Sequence, residues 1–375
     1  MSTKTIRAAI LGASGYTGAD AVRLLARHPN VEIVVLTADR RAGEPLGAVF
    51  PHLTMLDLPN LMSIDEVEWA GLEVDVVFCC LPHGTTQEIV RGLFHKTGHT
   101  LIDDLIEEHD TEDYVAEIPG PVKVIDVSAD FRLRDVETYA EWYGHEHLAP
   151  DLQKMAVYGL TEFYREDIKS ADLVACPGCY PTGALLALIP LVASGHVDTG
   201  SIIIDAKSGV TGAGRSLKEA NLYTEVSTGT HAYGVGKHRH GPEIDQEVSA
   251  AAGTPVNVTF TPHLLPMNRG ELSTIYLDLQ QGADAETLYN VLASRFIDEP
   301  FVQVMEYGQV PSTRHVVGSN HCFIGIAPDR RPGRAVVVTA IDNLVKGSSG
   351  QAIQNMNLMF GLPETTGLEQ LPLFP

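Results

Sequence analysis

The segment VACPGCYPTGALLALIP, residues 174–190, carries Cys176 and Cys179 at a spacing that serves redox exchange, metal binding or nucleophilic catalysis. After Cys179 come Tyr-Pro-Thr-Gly and an apolar run, so a helix is expected to start near Pro181, a favoured first-turn residue. A cysteine just ahead of a helix N-terminus feels the positive end of the dipole, which lowers its thiol pKa. Cys176, followed by Pro177 and Gly178, lies farther out and lacks that advantage. A zinc ribbon needs a second cysteine pair, and Cys79–Cys80 has the wrong spacing for one. A thioredoxin-like site would sit early in a much smaller βαβ domain. The residues favour a single nucleophile at Cys179; a redox pair, a structural pair and a metal site stay open as alternatives.

A thiolate acting on a carbonyl needs a proton-transfer partner. The stretch YGVGKHRHGPEIDQE supplies His238 and His240, with Glu243 available to orient an imidazole. Read alone, the segment is as well a surface His-x-His with solvated neighbours, and metal ligation by it lacks a third ligand. KSGVTGAGR, residues 207–215, carries Lys207 and Arg215 in a glycine-rich loop that suits an anionic ligand or merely a tight turn.

GASGYTG places Gly12, Gly15 and Gly18 at three-residue spacing between a strand and a helix, the setting in which a helix N-terminus receives a pyrophosphate. At the end of the next strand Asp39 could take a ribose hydroxyl. Arg40 and Arg41 follow it and suit a 2′-phosphate, so NADP is favoured over NAD.

These groups need a scaffold to hold them. IRAAIL, VEIVVLTADRR, DVVFCCLPHG and VKVIDVSADFR are continuous apolar strands separated by amphipathic helices, the pattern of a parallel sheet covered on both faces. Cys79 and Cys80 then read as small core residues of a strand. After residue 190, SIIIDAKSGV, VNVTFTPHLLPM, LSTIYLDLQ and AVVVTAIDNL alternate more and predict a second, mixed or antiparallel sheet; GSSGQAIQNMNLMFGL predicts a helix with a glycine-rich start. The acidic stretch at residues 101–121 reads as a solvated surface excursion.

The 375 residues imply two domains, and 26 Lys+Arg against 48 Asp+Glu give a formal charge of −22. That balance argues against binding to nucleic acid or anionic membranes. No apolar run approaches the roughly 20 residues of a membrane span. The early first strand leaves no room for a targeting peptide, and five cysteines without a paired framework point to a reducing compartment. The expected location is the cytoplasm, or the plastid stroma for a mature plant or algal chain.

Taken together, GASGYTG, LPHGTTQE, DVSADFRL, WYGHEH, VYGLTE, PGCYPTG, SGVTGAGR, HRHGPEI, FTPHLLPMNRG and DNLVKGSSGQAIQNMN resemble the N-acetyl-gamma-glutamyl-phosphate reductases, relatives of aspartate-semialdehyde dehydrogenase. The resemblance covers essentially the whole chain. It implies a Rossmann-like NADP-binding α/β domain at residues 1–178, completed by a C-terminal helix and tail at 345–375. An α+β catalytic and oligomerisation domain, glyceraldehyde-3-phosphate dehydrogenase-like, would span 179–344. It makes Cys179 the nucleophile and His238 the acid/base, with His240 the runner-up. The cofactor would rest on Gly12, Ser14, Gly15, Tyr16, Thr17, Gly18, Arg40, Arg41 and Asn343. Substrate contacts are expected from Arg132, Arg215, Lys218, His240 and Glu243, with no metal. The implied reaction is NADPH-dependent reductive dephosphorylation of N-acetyl-L-glutamyl 5-phosphate in arginine biosynthesis, by a homodimer or homotetramer that releases inorganic phosphate. A semialdehyde dehydrogenase acting on aspartyl phosphate is the near alternative. A non-catalytic NADP-sensing regulator and a thiol–disulfide oxidoreductase are the remote ones. Position 176 departs from the family, which often has asparagine there, and a cysteine at 176 would permit Cys176–Cys179 oxidation. The acidic excursion also looks longer than usual.

Overall fold

Continuous apolar strands fix the architecture of the first half of the chain. The computed structural model describes residues 5–69, 73–96 and 122–374. Strands β1 (Ile6–Leu11), β2 (Val31–Thr37), β3 (Leu61–Met62), β4 (Val76–Cys79), β5 (Lys123–Asp126), β6 (Val157–Tyr158) and β7 (Leu173–Ala175) form one sheet in the order β3-β2-β1-β4-β5-β7-β6. Every pairing in it is parallel. Such strands are buried on both faces, which is why their sequences are apolar throughout rather than alternating. The order reverses beside β1, where β2 lies on one side and β4 on the other; ligands of open α/β sheets bind at that crevice.

The second sheet contains β8 (Ile203–Gly209), β9 (His231–Ala232), β10 (Thr259–Leu265), β11 (Glu271–Asp278), β12 (Val302–Val304), β13 (Cys322–Pro328) and β14 (Arg334–Ile341). Its order is β12-β13-β14-β11-β8-β10-β9, and it is mixed: β8–β10 and β12–β13 are parallel, the other pairs antiparallel. Alternate residues of β11 are buried, the signature of a sheet with one covered face. The cover is the helix Cys179–Ala193, which packs on β11 and β14 and against the helices His240–Ala252 and Ala285–Arg295. Most of its residues are apolar and buried, as in a helix enclosed on several sides.

The described residues divide into two compact units, Met1–Cys176 with Ala352–Gly367, and Pro177–Gln351 with Leu368–Pro375. By this division the chain re-enters the first unit at Ala352, and Leu368–Pro375 group with the second. The re-entry is preceded by a π-helical turn, Val345–Ser349, that runs into the helix Gly350–Met359. The acidic stretch 101–121 lies outside the described residues. Among those described, no helix is long and apolar enough to cross a membrane.

Candidate active site

The cysteine segment is built at the end of β7. Gly178 is extended (φ −64°, ψ 159°) and forms the N-cap, so the helix begins at Cys179, two residues before the expected start. The reason is that Pro181 falls in the third helical position, where an N–H has no intrahelical partner anyway. No side chain caps this N-terminus. Cys179 is therefore in the first turn itself, where the dipole acts most strongly on a thiolate.

Two side chains fix the turn. Glu243, 1% exposed, accepts the Gly178 N–H at 2.9 Å, so its side chain anchors the nucleophile loop. A side chain on Gly178 would collide with the His240 Nε2, so the imidazole lies flush against the residue before Cys179. His238 packs against it. Its centroid is 4.8 Å from His240, 5.3 Å from Tyr233, 5.4 Å from Phe260 and 5.8 Å from Tyr180. Burial, helped by the Arg239 charge, pushes the His238 pKa down to about 4, so the ring is neutral near pH 7. Its Nδ1 accepts the His240 backbone N–H at 3.1 Å, which leaves the proton on Nε2. His238 thus offers a donor, while its lone pair is committed.

Tyr180 and Tyr233 were not singled out from the sequence. Their hydroxyls are 3.1 Å apart, and burial pushes both phenols upward, so they are neutral donors in the same cluster. Their signal was position alone: Tyr180 follows the nucleophile, and Tyr233 opens the histidine segment.

Arg215 and Lys218 are exposed beyond β8. Arg132 belongs to the first unit and is 5% exposed; its Nε donates to the Cys176 carbonyl at 2.7 Å and its Nη2 to the Val127 carbonyl at 3.0 Å. Through these two bonds the guanidinium braces the chain leading to Pro177–Gly178–Cys179. Cys176 itself is fully buried, and its Sγ accepts the Asn355 amide at 3.7 Å. None of the five cysteines, all among the described residues, is in a disulfide.

In the first unit the glycine loop joins β1 to the helix Tyr16–Leu25. Gly12 has φ +79°, and a side chain there would run into the Cys80 carbonyl just after β4. Gly15 caps the helix without a side-chain bond, and no acidic residue occupies the first turn. Thr37 ties the loop to β2 through its Oγ1 and carbonyl, at 3.2 and 2.9 Å from the N–H groups of Gly12 and Ala13. An uncapped helix end behind side-chain-free backbone fits a pyrophosphate, with Ser14, Tyr16, Thr17 and Gly18 in the same turn. Arg40 and Arg41 are exposed on a short 3-10 turn after β2. Arg41 pairs with Glu44 at 3.2 Å, whereas Arg40 has no ion pair among the described residues. Asn343 lies in the second unit, 3% exposed, accepting from Gly270 N at 2.8 Å and donating to Thr211 Oγ1 at 3.0 Å. Its amide braces two loops there. Among the described residues no group of three or more His, Cys, Asp or Glu side chains could hold a metal.

Residues 7–104 match a family model described as semialdehyde dehydrogenase, NAD binding domain, and residues 179–343 one described as semialdehyde dehydrogenase, dimerisation domain. The fold is similar to that of aspartate semialdehyde dehydrogenase II from Vibrio cholerae, with TM-score 0.66 at 15% identity over 95% of this chain and 98% of that one. It is also similar to a Candida albicans aspartate semialdehyde dehydrogenase with NADP, TM-score 0.62 at 16% identity over 95% and 98%. Much closer in sequence is the N-acetyl-gamma-glutamyl-phosphate reductase of Afipia carboxidovorans, 57% identical over 361 residues and 96% of each chain. That of Rhodospirillum rubrum is 56% identical over the whole of both chains. A probable chloroplastic enzyme of the same name from Oryza sativa is 54% identical over all of this chain and 84% of its own. On these identities the chain belongs to the N-acetyl-gamma-glutamyl-phosphate reductase family.

Proposed function

We propose that the protein reduces N-acetyl-L-glutamyl 5-phosphate to N-acetyl-L-glutamate 5-semialdehyde, releasing phosphate, as an NADP-dependent oxidoreductase of arginine biosynthesis. The observation that carries this is Cys179 in the first turn of a 15-residue helix whose N-terminus has no side-chain cap. The thiolate attacks the acyl carbon, phosphate leaves with the bond electrons, and the acyl group remains on Cys179 as a thioester. NADPH, when bound in the glycine loop, supplies the hydride that reduces this thioester. The resulting hemithioacetal on Cys179 expels the thiolate and yields the aldehyde.

The histidine pair divides the proton work. His240, flush against Gly178, takes the thiol proton. His238 donates from Nε2 to the oxygen that gains charge as the carbonyl is attacked, with the first-turn N–H groups of the cysteine helix beside it. The exposed Arg215 and Lys218 supply positive charge for a polyanionic substrate on a chain of formal charge −22. The match to a dimerisation domain supports a homodimer or homotetramer, and cysteines outside any disulfide fit a reducing compartment such as the cytoplasm.

The test is phosphate-dependent NADP reduction with N-acetylglutamate semialdehyde against aspartate semialdehyde. A site pairing the acetamide leaves polar groups unmatched with the smaller substrate, at about 1–3 kcal/mol each. Equal kcat/KM on both would move the protein to the aspartate enzymes.

A further inference from the structure

Beneath the cysteine helix lies a carboxyl group that this reaction does not use. Glu271 opens β11, paired to Ser208 on β8 and to Ile341 on β14, and is fully buried. Its Oε1 accepts the Ser273 hydroxyl at 2.5 Å. Its Oε2 is buried and has no hydrogen-bond partner among the described residues; the same is true of the Thr339 hydroxyl, which the register sets opposite Ser273. Both oxygens face Gly183. A Cβ there would fall 2.5 Å from Oε2 and 3.3 Å from Thr339 Oγ1, so only a glycine lets the carboxyl reach the helix. Gly183 stands four residues after Cys179, hence on the same helix face one turn along.

The surroundings disfavour a charge. Glu271 makes no ion pair among the described residues, and the cation whose field reaches it, Lys207 on β8, pairs with Asp205 at 3.0 Å. His263 on β10 also faces Asp205, at 3.1 Å. Arg269, next to β11, pairs with Asp342 after β14 at 3.4 Å. From the helix side come Cys179 and the neutral phenol of Tyr180, joined by that of Tyr233, and both phenols sense Glu271. Burial pushes the Glu271 carboxyl up to about 8. A carboxylate one turn below Cys179 would add like charge next to a thiolate that the helix end stabilises; the protonated acid does not.

We propose that Glu271 is a positioning residue for the nucleophile: uncharged, it seats the first turns of the cysteine helix on the sheet and keeps negative charge from Cys179, and ionised it withdraws that support. The proposal rests on Cys179 being the nucleophile.

The experiment compares wild type, Glu271→Gln and Glu271→Ala by the pH profile of kcat/KM, by the rate at which iodoacetamide labels Cys179, and by mass spectrometry after acyl phosphate is added without NADPH. Wild type should lose activity as pH rises through about 8. Glu271→Gln, of the same shape and never charged, should keep its activity there and exceed wild type at pH 9 by about 3- to 10-fold. Glu271→Ala removes the wedge and should lower turnover at all pH values by about tenfold, with rescue by Gln. Profiles of wild type and Glu271→Gln that superimpose, with Cys179 still acylated, overturn the Glu271 proposal alone. No acyl group on Cys179 of wild type removes the nucleophile and the proposal together.

Discussion

Arg132 separates a support from a substrate contact. Arg132→Met keeps most of the aliphatic stem but takes two N–H donors from the carbonyls of Cys176 and Val127, now at 2.7 and 3.0 Å. A buried acceptor deprived of its partner costs about 1–3 kcal/mol, so the two together amount to about 2–6 kcal/mol. The loss also touches Asp126, fully buried and pushed up to about 7 mainly by that burial, against which the Arg132 charge acts. With that charge gone the carboxyl rises further, and more of it is protonated at pH 7. A urea slope of about 2–3 kcal/mol per molar turns the destabilisation into a midpoint shift of about 1–3 M. Turnover should fall as well, because the Cys176 carbonyl immediately precedes Pro177–Gly178–Cys179. The assay pairs urea unfolding with KM and kcat for the acyl phosphate. A KM raised tenfold or more at an unchanged midpoint would return Arg132 to the substrate and refute the reasoning.

Arg40→Ala should raise the KM for NADPH more than Arg41→Ala does, because Arg41 is already paired with Glu44, and neither should change the KM for NADH; equal effects would discard the distinction. His240→Asn should slow alkylation of Cys179 and lower turnover by about 10²–10⁴-fold, while His238→Asn should lower turnover and leave alkylation nearly unchanged. The reverse result would restore His238 as the group that takes the thiol proton.

What the sequence disclosed followed the range of the interactions. Apolar runs such as IRAAIL and DVVFCC were read correctly as parallel strands because burial on both faces demands unbroken hydrophobicity. The helix starts two residues ahead of Pro181, which takes the third helical position, within the first turn as its residue type suggests. Arg132 was legible as a basic residue but not as a buried one, since its acceptor on Cys176 lies 44 residues away. Glu271 carried a usable signal: in GELSTIYL it alternates in phase with Ile275 and Leu277, which places a carboxyl on the covered face. The two-residue strands β3, β6 and β9 have too little sequence to show a period. The π-helical turn before Gly350 has no local pattern to announce it.

The central claim is that Cys179, and not Cys176, carries the acyl group. The measurement is mass spectrometry of the peptide spanning both cysteines after N-acetylglutamyl phosphate is added without NADPH, in wild type, Cys179→Ser and Cys176→Ser, under reducing conditions. Wild type and Cys176→Ser should carry one acyl group on Cys179 and discharge it as aldehyde when NADPH is added; Cys179→Ser should carry none. An acyl group on Cys176, or loss of activity in Cys176→Ser as deep as in Cys179→Ser, would contradict the account.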